Sequence, residues 1–224
     1  MARLENPGIQ QAPACCLMLD VTQISCVRGN RRLFGNLSFR LESQQALRIL
    51  GENGSGKTSL LRIVAGLASA ESGEVSWSGQ RVGKLGEDYR RQLAFLGHAN
   101  GLKDDLTPRE NLQQALALAG IAATAGAIRD ALQAQGLEAA AELPVKVLSQ
   151  GQKRRAALAR LQFCAEKPLW ILDEPFAALD VAAVGGLART LADQLRRGGM
   201  VLFTTHQEVE LPGATVRSLQ LGAA

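Results

Sequence analysis

The stretch Gly51-Glu52-Asn53-Gly54-Ser55-Gly56-Lys57-Thr58 follows the apolar run Ala46-Leu47-Arg48-Ile49-Leu50 and precedes Ser59-Leu60-Leu61-Arg62-Ile63-Val64-Ala65. It fits the pattern G-x-x-x-x-G-K-[ST], a phosphate-binding loop. The run before it reads as a buried strand, and the run after it as a helix closing at Gly66. That order gives the motif a structural meaning. Gly51, Gly54 and Gly56 let the backbone take positive φ and come close to a ligand. Exposed N–H groups and a helix N-terminus then suit a polyphosphate. Lys57 is placed to reach the β- and γ-phosphates, and the Thr58 hydroxyl to hold Mg²⁺. The candidate nucleotide site is thus the whole run Gly51, Glu52, Asn53, Gly54, Ser55, Gly56, Lys57, Thr58 and Ser59.

Working outward, the N-terminal side alternates apolar and polar residues. Leu17 to Val27 reads as a strand, 28–32 as a turn, and Leu37 to Leu41 as a second strand. Glu74 to Trp77 reads as a short strand after the Ser72-Gly73 turn. An antiparallel piece therefore flanks the start of a parallel α/β core. On the C-terminal side, Gln92–Leu96, Leu169–Leu172 and Met200–Thr205 read as further core strands, and Val216–Leu221 as an edge strand. Thr107-Pro108-Arg109-Glu110 is a helix start, with a Thr cap, Pro at the first position and Glu three residues after the cap. Residues 103–147 read as a helical insertion, rich in Ala and Leu at helical spacing and closed near Pro144. A basic helix starts at Ser149-Gln150-Gly151-Gln152, and another helix runs from about Val181 to Arg197. Residues 1–16 read as an unstructured tail and 17–224 as one domain.

The composition narrows the classes. The chain has 224 residues, 46% of them apolar and 21% charged, which suits a globular domain with a sizeable core. Aromatics make up 4%, too few for a base-stacking nucleic-acid platform, so no nucleic-acid partner is expected. The net charge of +4 is mildly basic and decides little. Cys15, Cys16, Cys26 and Cys164 match no zinc or redox spacing and read as reduced thiols. No apolar run is long enough to span a bilayer, and the N-terminus lacks the pattern of a signal peptide.

Catalytic groups in open α/β sheets gather at the carboxyl ends of strands. Three strand ends carry candidates here: the Gly51 loop, Asp173-Glu174, and His206. Asp173 is placed to hold Mg²⁺ together with Thr58. Glu174 is the candidate general base for an attacking water. His206 is placed to hydrogen-bond the γ-phosphate or that water.

These motifs, in this order, resemble the nucleotide-binding subunit of ATP-binding-cassette transporters across about residues 17–221. The resemblance is carried by Gly51–Thr58, Leu148-Ser149-Gln150-Gly151-Gln152, Leu169-Trp170-Ile171-Leu172-Asp173-Glu174-Pro175, Ala178-Leu179-Asp180 and His206. It implies a P-loop NTPase fold of the α/β class: a parallel-sheet core, an N-terminal antiparallel β subdomain and an inserted α-helical subdomain. It implies ATP and Mg²⁺ as ligands and a homodimer in the ATP state. Ser149, Gly151 and Gln152 of one copy, with Asp180, would then face the nucleotide of the other. Gln150 stands where Gly is common in the signature, and two further positions depart from the family pattern. His98 stands where Gln usually contacts Mg²⁺ and the attacking water, so it is the candidate for that role. Arg28 stands where an aromatic side chain usually stacks on adenine, and its guanidinium plane can stack on a base.

Gly97–Lys103, Trp170–Phe176, Thr204–Gln207 and the Arg28/Arg32-Leu33-Phe34 segment are most similar to the haem-exporter ATPases of bacterial cytochrome c maturation. That implies a peripheral protein on the cytoplasmic face of the inner membrane, working with integral permease subunits and a haem chaperone complex. Other readings remain open: an exporter of drugs or lipids, a soluble non-transport ATPase of the same family, and a nucleotide sensor that does not hydrolyse.

Overall fold

The computed structural model describes residues 17–222, so the reading of 1–16 as a tail, and Cys15 and Cys16 with it, lies outside the described residues. The chain forms two sheets and a helical layer. β1 (Met18–Arg28), β2 (Arg31–Glu42), β4 (Ser72–Trp77) and β5 (Gln80–Arg81) make an antiparallel sheet in the order β2-β1-β4-β5. β3 (Ala46–Leu50), β6 (Leu93–Leu96), β7 (Leu169–Leu172), β8 (Met200–Thr204) and β9 (Val216–Gln220) make a parallel sheet in the order β6-β7-β8-β3-β9. The expected edge strand at the C-terminus is β9, and it does lie at the edge.

The strands β6, β7 and β8 are apolar runs because both faces are covered. Their side chains alternate between two cores, as a pleated strand requires. Leu169, Ile171, Met200 and Leu202 face a core shared with the antiparallel sheet and α1 (Lys57–Val64). Trp170, Leu172, Val201 and Phe203 face the opposite core, beneath α6 (Gln150–Leu158) and α7 (Val181–Arg196). A third core lies within the helical layer, where α4 (Pro108–Leu118) and α5 (Ala125–Ala134) contribute Leu112, Leu116, Ile128 and Leu132.

The local signals hold at several points. Thr107 caps α4 with a full capping box to Glu110, and Ser149 caps α6 with one to Gln152. Elsewhere the structure refines the expectation. The turn at 28–32 is shorter: Arg28 pairs with Arg31 across Gly29-Asn30, and Arg31 and Arg32 already belong to β2. The Ala-rich stretch is two helices, because Gly120 at φ 68° ends the first. The basic helix leaves α geometry at Leu158 and continues as a 3-10 segment from Ala159 to Phe163. α2 (Val82–Leu85) and α3 (Glu87–Arg91) carry no sequence signal, being too short to show a helical period. They nonetheless deliver Tyr89 to the core, fully buried, its hydroxyl donating to the Val64 carbonyl at 2.8 Å. Cys26 and Cys164 are buried free thiols.

Candidate active site

Sheet order assembles the site. β6, β7, β8 and β3 are consecutive neighbours, so four strand ends stand in a row about 4.8 Å apart. They carry His98, Asp173-Glu174, Thr204 to His206, and the Gly51–Thr58 loop. A cleft of about 620 Å³ opens across them. Its lining includes Glu52, Asn53, Gly54, Gly56, Lys57, Thr58, Ser59, His98, Asp173, Glu174 and His206.

The loop is built around backbone that side chains cannot share. Gly56 caps α1 at φ 99°, and a Cβ there would lie 3.0 Å from Leu33 Cβ and from the Phe34 ring. At Gly51 a Cβ would lie 2.6 Å from Ser55 Oγ and 2.9 Å from the Leu221 carbonyl. The first N–H groups of α1 have no intrahelical acceptor and face the cleft. Lys57 is 8% exposed, and its ammonium donates to the carbonyls of Gly51 at 2.7 Å and Glu52 at 3.1 Å. It meets only neutral groups there. Ser55 Oγ is buried without a hydrogen-bond partner. A cation without a carboxylate, an orphaned hydroxyl and a cradle that a Cβ would fill all fit a polyphosphate.

Asp173 is 1% exposed and holds two hydroxyls: Thr58 Oγ1 donates to Oδ2 at 2.7 Å and Thr204 Oγ1 to Oδ1 at 2.7 Å. Thr58 and Asp173 are hard oxygen donors side by side, which fits Mg²⁺ completed by phosphate and water. No cluster of three or more metal-binding His, Cys, Asp or Glu side chains occurs among the described residues.

Glu174 follows with φ 49°, a left-handed conformation that costs a non-glycine residue about 1–3 kcal/mol. Its N–H donates to Thr204 Oγ1 at 2.8 Å. Its Oε1 lies 3.4 Å from His206 Nε2 yet has no hydrogen-bond partner. Lys57 Nζ lies 3.3 Å from the same Nε2, so that nitrogen stands between the ammonium and the carboxylate. Glu174 lines the cleft, and its buried Oε1 is left with acceptor capacity.

Thr204 was not singled out in the sequence, since a Thr at the end of an apolar strand carries no signal. It is fully buried and joins both acids through one hydroxyl. Thr204→Val keeps the shape and removes both bonds. Each orphaned group should cost about 1–3 kcal/mol, and each kcal/mol should lower Tm by about 2–4 °C. Thermal melts read this directly, and Thr204→Ser should recover most of it; an unchanged Tm in the Val variant would show the hydroxyl to be idle.

Other expected residues lie elsewhere. Arg28 is exposed at the end of β1 and is not among the lining residues; Leu33 of β2 lines the cleft on that side. Ser149, Gly151, Gln152 and Asp180 do not line it either. Ser149 caps α6, Asp180 caps α7 by accepting from Ala183 N at 2.8 Å, and a Cβ on Gly151 would lie 2.7 Å from the Ala178 carbonyl. The α6 N-terminus thus sits against the loop that leads into α7, and neither helix start lines the cleft.

A phosphate-binding loop, a buried acid beside its hydroxyl and a second acid at the next position, on a parallel sheet with an antiparallel wing and a helical layer, define an ATP-hydrolysing cassette. The chain belongs to the ABC transporter family, whose pattern matches residues 34–177. Within it, the chain is 51% identical over 205 residues to the cytochrome c biogenesis ATP-binding export protein CcmA of Dechloromonas aromatica, covering 92% of this chain and 100% of that one. It is 48% identical over 203 residues to CcmA of Nitrosospira multiformis, covering 91% and 98%. A solved ATP-binding subunit of an ABC transporter superposes with a TM-score of 0.73 at 27% identity, covering 84% of this chain and 79% of that one. The fold class and the ATPase activity expected from the sequence both stand. Among the described residues, no helix is long and apolar enough to cross a membrane.

Proposed function

We propose that this ATPase drives the export step of cytochrome c biogenesis, moving haem or releasing a haem-loaded chaperone through integral permease subunits at the cytoplasmic face of the inner membrane. The observation that carries this reading is end-to-end similarity to relatives named for that process. In the proposed reaction, Lys57 pairs with the β- and γ-phosphates and the α1 N-terminus cradles them. Thr58 and Asp173 hold Mg²⁺, which neutralises phosphate charge when bound. Glu174 takes the proton of the attacking water. His206 hydrogen-bonds the γ-phosphate or that water. Ser149 and Gly151 of a second copy cap that phosphate, with Gln152 and Asp180 beside them. Arg28 is left as a contact to the base outside the phosphate cleft.

His98 lines the cleft at the end of β6, where it can hold the attacking water. His98→Gln keeps a hydrogen-bonding group of similar reach, and His98→Ala removes it. Turnover should persist in the Gln variant and fall in the Ala variant; equal turnover in both would assign His98 to packing alone.

The export reading is tested by purifying the Glu174→Gln protein from native membranes and identifying the chains that accompany it. Small integral membrane proteins with a haem-binding chaperone support it. An unrelated permease overturns the substrate while leaving the ATPase intact.

A further inference from the structure

Arg154 lies in α6, beyond the Ser149 cap, and is 4% exposed. A guanidinium has five N–H donors, and here all are engaged. Nε donates to the Pro175 carbonyl at 3.4 Å. Nη1 donates to the Gly97 carbonyl at 3.3 Å and Asn100 Oδ1 at 3.0 Å. Nη2 donates to the carbonyls of Asp173 at 2.7 Å and Glu174 at 2.8 Å. None of the ion pairs among the described residues includes it. Burial pushes its pKa down to about 10, opposed by the charges of Asp173 and Glu174, so it stays a cation at neutral pH.

A buried cation without a carboxylate is a poor device for stability alone, because its desolvation is repaid only by well-placed acceptors. The acceptors chosen here are informative. Three are the successive carbonyls of Asp173, Glu174 and Pro175, gathered on one point by the left-handed turn at Glu174. The other two belong to Gly97 and Asn100, which flank the segment carrying His98. The neighbouring Arg155 reaches the other way, donating to the carbonyls of Gln135 and Gly136 at the end of α5. α6 is therefore fastened by adjacent arginines to the hydrolytic strand ends on one side and to the helical layer on the other.

We propose that Arg154 is a positioning residue for hydrolysis: it fixes the backbone that presents Glu174 together with the joint that presents His98, and ties both to the α6 N-terminus capped by Ser149. The proposal rests on Glu174 acting as the base and goes beyond it.

The test uses the full chain with Arg154→Gln, Arg154→Lys and, as a comparison, Arg155→Gln. Lysine keeps the charge but gathers its donors on one atom and cannot span both segments. Turnover at saturating ATP, the Kd for ATP and the Tm are measured on each. Displacing the base by a fraction of an ångström to an ångström should cut kcat by about 10- to 100-fold in both Arg154 variants, with Kd unchanged. In a Glu174→Gln background, Arg154→Gln should cause no further loss, since residues acting through one group are not additive. If Arg154→Gln does not fold, Arg154→Lys alone carries the comparison. Wild-type kcat in the Arg154 variants, a loss matched by weakened Kd, or a full additional loss on top of Glu174→Gln overturns the proposal. Glu174→Gln turning over at the wild-type rate overturns instead the base assignment on which it rests.

Discussion

Glu174→Gln is expected to lower the ATP turnover number by about 10²–10⁴-fold, the usual contribution of a general base, while ATP binding is kept. The substitution is isosteric, so the anchors of the residue survive: its N–H on Thr204 Oγ1 and its carbonyl on Arg154. What is lost is a carboxylate whose Oε1 is buried and unpartnered. That atom is the informative one. A structural glutamate would have found a donor, and here the nearest nitrogen, His206 Nε2, lies 3.4 Å away without forming a hydrogen bond. The backbone strain at φ 49° points the same way, because the surrounding bonds hold this residue in a conformation it would not choose. Turnover by released phosphate, ATP affinity by titration and oligomeric state by gel filtration with ATP measure the three consequences. With the base gone, the ATP-bound dimer should accumulate. Wild-type turnover in this variant would assign proton abstraction to another group.

Lys57→Ala should act one step earlier and weaken ATP binding itself. Removing one partner of a buried, hydrogen-bonded charge pair costs about 2–5 kcal/mol, so affinity should fall by more than about tenfold, and turnover at ordinary ATP concentrations should vanish. Lys57 is positioned for this by the fold of its own loop: the ammonium is held against the Gly51 and Glu52 carbonyls, neutral groups that a phosphate outcompetes. The variant also frees His206 Nε2 from its 3.3 Å neighbour, so any change in Glu174 would follow. Titration with ATP separates the effects. An affinity equal to wild type would mean that the loop N–H groups alone carry the phosphates.

Much of this site was legible before any coordinates. The Gly51–Thr58 loop is a local object, and its glycines, lysine and threonine are specified by what backbone geometry and phosphate demand. Asp173, Glu174 and His206 were legible because apolar runs ended at them. The caps at Thr107 and Ser149 were legible because a capping box is written within four residues. Less was legible where the element was shorter than its own period, as in α2 and α3, or where one glycine decided between one helix and two, as at Gly120. Arg28 shows a different limit. Its place along the chain does not say which neighbour lines the phosphate cleft, and Leu33 of the next strand does so.

By itself the sequence determined the class of chemistry, the order of strands and helices along the chain, and the groups standing at the strand ends. These follow from local rules: periodicity, capping and the backbone freedom of glycine. Only the tertiary structure decided that β6, β7, β8 and β3 are neighbours, and hence that Thr58 meets Asp173 across 115 residues and Thr204 meets Asp173 across 31. An apolar strand does not encode which other strand lies beside it. That choice is made by burial of both sheet faces at once, and it turns Thr204 and Arg154, unremarkable in the sequence, into the groups that hold the two acids in place.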